Sequence, residues 1–373
     1  MKKSLLLTVV LFAFIFKNYA QVSNTGMVEQ MDSTENGKIN ISGYVDVYYG
    51  FDFNQPKSFD RDYAVSSSRH NEVNVNLVYV DLKYKNDKVR ARIIPGFGSY
   101  VNSNYVSEKG SLKNLIEANV GLKLFKNKEI WVDAGVIGSP YTNESAISKD
   151  HFMYTRSFAP EYVPYYLSGA KLSLPVSKKI MAYFYLLNGW QQISDVNNPL
   201  SFGTQIEYRP TNKLLLNWNT YLGDESSALN PNYGNRYFTD LYAIYNPDGK
   251  FSFTSCVYLG YQQCIDSITG NKYFNNWWQA NFIAKVRCNK NSFVAGRVEY
   301  FNDKNEVMIK PITGIRGFST FSSAICFTKK ISQNALFRLE ARSYVSESNV
   351  YINAENKPSN TSNLLITNIT IWF

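Results

Sequence analysis

From Ile39 to Phe53 the odd positions read Ile39, Ile41, Gly43, Val45, Val47, Tyr49, Phe51, Phe53, and the even positions Asn40, Ser42, Tyr44, Asp46, Tyr48, Gly50, Asp52. Successive side chains of a strand point to opposite faces, so this segment predicts a strand with one apolar and one polar face. The alternation returns along the chain, with apolar faces at Ile116-Ala118-Val120-Leu122-Leu124, Ile130-Val132-Ala134-Val136, Leu214-Leu216-Trp218-Thr220-Leu222, Phe251-Phe253-Ser255-Val257-Leu259, Trp278-Ala280-Phe282-Ala284-Val286 and Leu365-Thr367-Ile369-Ile371-Phe373. None of these faces carries a charge. A lipid-facing wall has that property, because Arg or Lys at mid-bilayer costs ~2–4 kcal/mol. Two segments break the pattern. The second strand slips phase near Leu77 and Val78, and Ile180 to Leu187 is apolar on both faces.

The connections alternate in length. Turn residues occupy Asn86-Asp87, Asn127-Lys128, Val176-Ser177, Pro210-Thr211-Asn212, Pro247-Asp248-Gly249, Asn289-Lys290 and Ser332-Gln333. Between them lie long polar stretches at 54–71, 99–113, 138–164, 223–236, 262–273, 302–316 and 346–362. Tight turns on one side and long loops on the other predict an all-β, transmembrane, antiparallel up-and-down β-barrel of about 16 strands, with periplasmic turns and extracellular loops. A soluble β-sandwich also alternates. It requires neither sided loops, nor an uncharged outer face, nor a last strand ending on Phe373.

Met1-Lys2-Lys3, the apolar Ser4 to Phe16 and the small Ala20 form a secretory leader over residues 1–20. Residues 21–38 are polar and aperiodic, a flexible periplasmic lead-in, and 39–373 is the barrel. Beyond the leader no apolar run approaches the ~20 residues of a spanning helix. With 16% aromatic and 18% charged residues, apolar surface must be buried by alternation. The net charge of +9 includes Lys2, Lys3 and Lys17 of the leader, and the remaining basic residues form no runs, which argues against nucleic acid. The expected location is the outer membrane, in contact with its lipid, with the C-terminal strand and Phe373 offered to the barrel-assembly machinery.

Four stretches carry a family resemblance. Gly138 and Glu144 precede Tyr154-Thr155-Arg156-Ser157, and Pro164-Tyr165-Tyr166-Leu167-Ser168-Gly169 closes that loop. Asn188-Gly189-Trp190, Arg297-Val298-Glu299-Tyr300-Phe301-Asn302-Asp303 and Arg338-Leu339-Glu340-Ala341-Arg342 follow. In this order the chain resembles the OmpL-like β-barrel porin family of Gram-negative outer membranes over roughly residues 39–373. Ser343 to Asn349 departs from the pattern, its acidic residue, Glu347, standing five positions after Arg342. The resemblance implies a porin-type channel and brings no catalytic residues.

Strand phase turns Arg90 and Arg92, Arg297 and Glu299, and Arg338, Glu340 and Arg342 toward the lumen. Charges in barrel strands must face water or one another. The expected pore is water-filled with a mixed Arg/Glu lining, passing small hydrophilic solutes by passive diffusion, although such pairs also serve simply as wall scaffolding. The third long loop, 138–164, holds Glu144, Lys149, Asp150, Arg156 and Glu161 among tyrosines and is a candidate constriction by analogy with general porins. A surface loop is the competing reading. The loops taken as an adhesin or receptor surface are the alternative function, and their tyrosines are assigned mainly to the membrane-interface belts.

Chemistry of other kinds finds little support. His70 and His151 both fall in loops, no Gly-rich phosphate loop or zinc spacing occurs, and Cys256, Cys264, Cys288 and Cys326 form no CxxC and are scattered. Neither an enzyme nor a cofactor is expected. A homotrimer is left open alongside a monomer.

Overall fold

The computed structural model describes residues 37–373. The leader and all but the last residues of the lead-in lie outside the described residues. Among these residues the chain forms sixteen barrel strands: Lys38–Asp52 (β1), Val73–Lys85 (β2), Val89–Phe97 (β3), Leu115–Phe125 (β4), Lys128–Gly138 (β5), Tyr166–Pro175 (β6), Ile180–Leu187 (β7), Ser201–Thr211 (β8), Leu214–Asp224 (β9), Tyr233–Tyr245 (β10), Phe251–Ile265 (β11), Lys272–Asn289 (β12), Ser292–Asp303 (β13), Phe318–Ser332 (β14), Ala335–Ser346 (β15) and Thr361–Trp372 (β16). Each pairs antiparallel with its sequence neighbours, and β1 closes on β16 from Tyr44 opposite Trp372 to Asp52 opposite Leu364. Closure leaves no unpaired edge, which hydrocarbon would penalise by several kcal/mol per orphaned group. The seam ends with Gly43 and Phe373 exchanging backbone hydrogen bonds of 2.8 and 3.1 Å.

The outer face is the apolar one. Ile39, Val120, Phe184, Phe202, Val257, Ile325 and Ile369 are exposed, while Asp46, Gln205, Asn219, Gln279 and Thr370 on the opposite faces are buried. Sidedness holds as well. The connections 86–88, 126–127, 176–179, 212–213, 246–250, 290–291 and 333–334 are tight. The long loops are 53–72 (L1), 98–114 (L2), 139–165 (L3), 188–200 (L4), 225–232 (L5), 266–271 (L6), 304–317 (L7) and 347–360 (L8). L4 is the long connection that the sequence pattern does not mark.

Both irregular segments have physical causes. On β2 the register against β1 steps from Asp46 opposite Leu77 to Val47 opposite Val75, so Asn76 is the extra residue of a β-bulge. Val73 and Val75 face outward before it and Val80 and Leu82 after it, which a bulge-free strand cannot achieve. On β7, Phe184 and Leu186 face outward. Tyr183, Tyr185 and Leu187 face inward and join an aromatic cluster inside the barrel.

Where L3 leaves and re-enters the wall, Gly135 of β5 sits opposite Gly169 of β6 with φ of +127° and +148°. A Cβ would meet the carbonyl oxygen of Ala118 at 2.2 Å in one case and of Leu186 at 2.1 Å in the other. Only glycine lets the four strands β4 to β7 close that tightly here.

Candidate functional site

L3 carries Phe152, Met153, Phe158, Ala159 and Val163, too apolar a set for a loop in water, and all are buried. It runs inside the lumen. A loop taken out of water must find partners for its backbone, and the barrel wall supplies them. The N–H groups of Tyr154 and Thr155 donate to Glu340 Oε2 at 2.7 and 3.0 Å, that of Phe158 to Glu299 Oε2 at 2.6 Å, and that of Thr142 to Asp240 Oδ2 at 2.7 Å. In the other sense Arg297 donates to the carbonyl of Thr155 at 2.7 Å, Arg342 to that of Arg156 at 2.7 Å, Arg338 to that of His151 at 3.2 Å and Asn219 to that of Pro140 at 2.9 Å. The loop thus crosses from β9 and β10 to β15. At its far side Ser148 Oγ lies 2.7 Å from the hydroxyl of Tyr44 on β1.

The anchoring charges also neutralise one another. Glu299 Oε1 lies 2.9 Å from Arg297 Nε and 2.6 Å from Arg342 Nη2, and Glu340 Oε1 lies 3.5 Å from Arg297 Nη2. The side chains of Arg297, Glu299 and Glu340 are 0% exposed. Buried charges persist only when paired and hydrogen-bonded throughout. This ladder therefore lies sealed beneath L3. Arg90 and Arg92 differ. Arg90 forks onto both oxygens of Asp133 at 2.6 and 2.5 Å and stacks 4.4 Å from the Trp131 ring; Arg92 forks onto Asp81 and reaches Glu117 at 2.9 Å. Their side chains keep 15% and 30% exposure.

Within L3, Arg156 is a staple. Its guanidinium donates to the carbonyls of Ser145, Tyr154 and Ala146 at 2.5, 2.6 and 3.1 Å. Glu144 accepts the N–H of Ser157 at 2.9 Å, and Lys149 pairs with Asp150 at 2.9 Å. Glu161 ties L3 to L1, accepting the N–H groups of Val65 and Ser66 at 2.5 and 3.2 Å and the hydroxyl of Tyr165 at 2.9 Å; burial raises its pKa. His151 Nε2 accepts the N–H of Ser145 at 2.9 Å, and burial, then Arg156 and Arg338, push its pKa well below the usual value.

The loops above L3 also turn inward, a feature without a local sequence signal. Phe158 of L3, Trp190 of L4, Ile309 of L7 and Val350 and Tyr351 of L8 pack in one cluster with Tyr221, Phe238, Phe301, Phe318 and Tyr344 of the wall. Tyr63 of L1 joins four loops. Its hydroxyl donates to the carbonyl of Val350 at 2.5 Å and accepts the N–H of Ile312 at 3.0 Å, and its carbonyl accepts the hydroxyl of Tyr162 at 2.7 Å. It does so at φ +59°, unusual for a large side chain. The space left between L1 and L3, lined by Arg61, Tyr63, Arg156, Glu161 and Arg342, is about 20 Å³, room for about one water. Tyr100 and Tyr105 of L2 are likewise buried, against Tyr165 and Tyr166, and so stand apart from any interface belt.

A closed barrel with an apolar outer face and sided loops, the third folded through its own lumen, is the architecture of an outer-membrane porin. The chain belongs to the family described as "Putative beta-barrel porin-2, OmpL-like", whose model matches residues 38–373. Among solved structures it is similar to the anion-selective porin from Comamonas acidovorans, at 9% identity and TM-score 0.59 over 90% of this chain and 100% of that one. It is also similar to the outer membrane channel DcaP of Acinetobacter baumannii, at 10% and 0.62 over 91% and 99%. The trimer form of OmpT, from Vibrio cholerae, aligns at 10% and 0.57 over 90% and 99%. At such identities the likeness is one of fold. No curated protein matches the sequence.

Proposed function

We propose that this outer-membrane porin passes small hydrophilic solutes by passive diffusion, with L3 as its constriction, and that the ladder of Arg297, Glu299, Arg338, Glu340 and Arg342 holds the loop in place. Arg90 and Arg92, partly exposed, line the aqueous path below the loop. The observation that carries this reading is the capture of consecutive L3 backbone groups by Glu340, Glu299, Arg297 and Arg342. Donor and acceptor atoms spent on the loop backbone are not available to a passing solute, whereas the side chains of Arg90 and Arg92 on β3 keep 15% and 30% exposure. The exposed Phe373, which directly follows the closing strand, suits recognition by the assembly machinery. A homotrimer, the form in which the Vibrio OmpT is described, is the assembly proposed.

Planar-bilayer conductance of the refolded chain tests the reading. The intact protein should show a small conductance, and deletion of residues 145–155 should raise it. An unchanged conductance after the deletion removes L3 as the constriction. No current from the intact protein removes the porin role.

A further inference from the structure

The two halves of the lower lumen treat their cations differently. On the β2–β6 side Arg90, Arg92, Lys123 and Lys171 each sit in an ion pair. On the β12–β15 side Lys285, Arg287, Lys330 and Arg338 have no ion pair among the described residues.

Register brings these four together. Arg287 on β12 stands opposite Phe293 on β13, Phe293 opposite Thr328 on β14, and Thr328 opposite Arg338 on β15, one continuous row across four strands. Lys285 lies two residues above Arg287 and Lys330 two residues below Thr328, both on the inner face. Lys285, Arg287 and Lys330 gather around the Phe293 ring at 5.5, 5.9 and 5.4 Å from its centre. The row is near the tight turns 290–291 and 333–334, so it looks onto the periplasmic mouth, where Lys330 is exposed.

Glu340, two residues on from Arg338, is directed upward onto Tyr154 and Thr155, and Asp46 of β1, within electrostatic reach of Arg338, is held by Asn76 and Asn368. Arg338 is 1% exposed, yet its Nε and Nη1 have no hydrogen-bond partner, and neither does Nε of Arg287. Buried guanidinium N–H groups without acceptors are costly, and four like charges on one wall repel. An anion with several oxygens relieves both penalties at once, since charge-assisted N–H···O bonds suit a planar guanidinium.

We propose that this wall is a binding station for a small oxyanion of the phosphate type, entered from the periplasmic mouth and lying directly below L3. Arg287 and Arg338 supply directed donors, Lys285 and Lys330 supply charge, and Phe293 spaces them. The station rests on the reading of the lumen as a solute path, and it makes that path anion-preferring.

Titration calorimetry of the full chain in detergent with inorganic phosphate, beside bilayer recording, tests it. The intact protein should bind phosphate, and Arg287→Gln with Lys330→Gln should weaken binding by about tenfold or more. Lys123→Gln on the paired wall should leave it unchanged, and Arg287→Lys should recover part of it. Heat-modifiable gel migration reports whether each variant remains a barrel. Conductance without phosphate binding, or binding insensitive to the double substitution, overturns the station and leaves the porin standing. Binding without conductance upholds the phosphate site on this wall and removes the porin reading, and with it the anion-preferring path. Absence of both removes both.

Discussion

Glu340, on the wall, accepts the backbone N–H of Tyr154, in the loop, at 2.7 Å across 186 residues of sequence. The same oxygen takes Thr155, and the other lies near Arg297. Removing one member of such a buried set leaves its partners unpaired, at about 3–5 kcal/mol. Glu340→Ala is therefore expected to free the middle of L3 while the hydrogen-bonded barrel persists. Single-channel records should show larger and noisier openings than the intact protein, with heat-modifiable migration retained. Quiet, unchanged openings would mean that the wall does not hold the loop.

The thiols offer a check on which faces are sealed. Cys256, Cys264 and Cys326 are buried and Cys288 is exposed, all four unpaired. Maleimide labelling of the folded barrel in detergent should modify one thiol, and labelling after denaturation without reductant should modify four. A native count above one would show the lumen open around Cys256, Cys264 or Cys326.

Regular strands are legible because their outer faces share one apolar surround: Leu216, Trp218 and Leu222 of β9 and Leu365, Ile369 and Ile371 of β16 all point outward. The inner face meets no uniform solvent. Tyr183, Tyr185 and Leu187 face a packed aromatic cluster, which erases the period of β7 and with it the signal for L4. The candidate site divides the same way. Strand phase is local, so the inward direction of Arg297, Glu299, Arg338, Glu340 and Arg342 follows from two-residue periodicity. Their partners on L3 lie well over a hundred residues away, and no local pattern encodes that meeting. Tyr63 and Glu161 tie loops together through backbone groups, which every residue possesses.

The Asn76 bulge sets which face of β2 meets lipid. Asn76 Nδ2 donates to Asp46 Oδ2 at 2.9 Å, and its Oδ1 accepts the N–H of Ser67 at 2.8 Å. Deleting Asn76 should turn Val73 and Val75 inward or force Val80 and Leu82 to do so, because a one-residue slip reverses a strand. The deletion is expected to abolish heat-modifiable barrel formation. Asn76→Ala keeps the residue count, loses two hydrogen bonds of ~0.5–1.5 kcal/mol each, and should still fold with a lower melting temperature. A deletion variant that folds like the intact chain would remove the bulge as the determinant of phase.

Asp62 in L1 and His151 in L3 make the packed mouth respond to acid in opposite senses. Burial raises the Asp62 carboxyl from its ordinary 3.8 to about 6, so the packed state holds its proton more tightly than an opened one. Its contribution to packing is full below the ordinary value and is lost as pH rises through about 6. Burial, then Arg156 and Arg338, lowers the pKa of His151 well below 6.5, so the packed state needs the neutral ring that accepts from Ser145. That contribution is present above 6.5 and is lost as pH falls through the depressed value. Each group can be silenced separately. In Asp62→Asn the histidine response is left with the buried carboxyl of Glu161, and conductance should rise more steeply than in the intact protein as pH falls from about 7 to about 5. In His151→Gln only the carboxyl response remains, and conductance should fall over the same interval. Bilayer recordings in which the two variants slope the same way would refute the assignment of opposite roles.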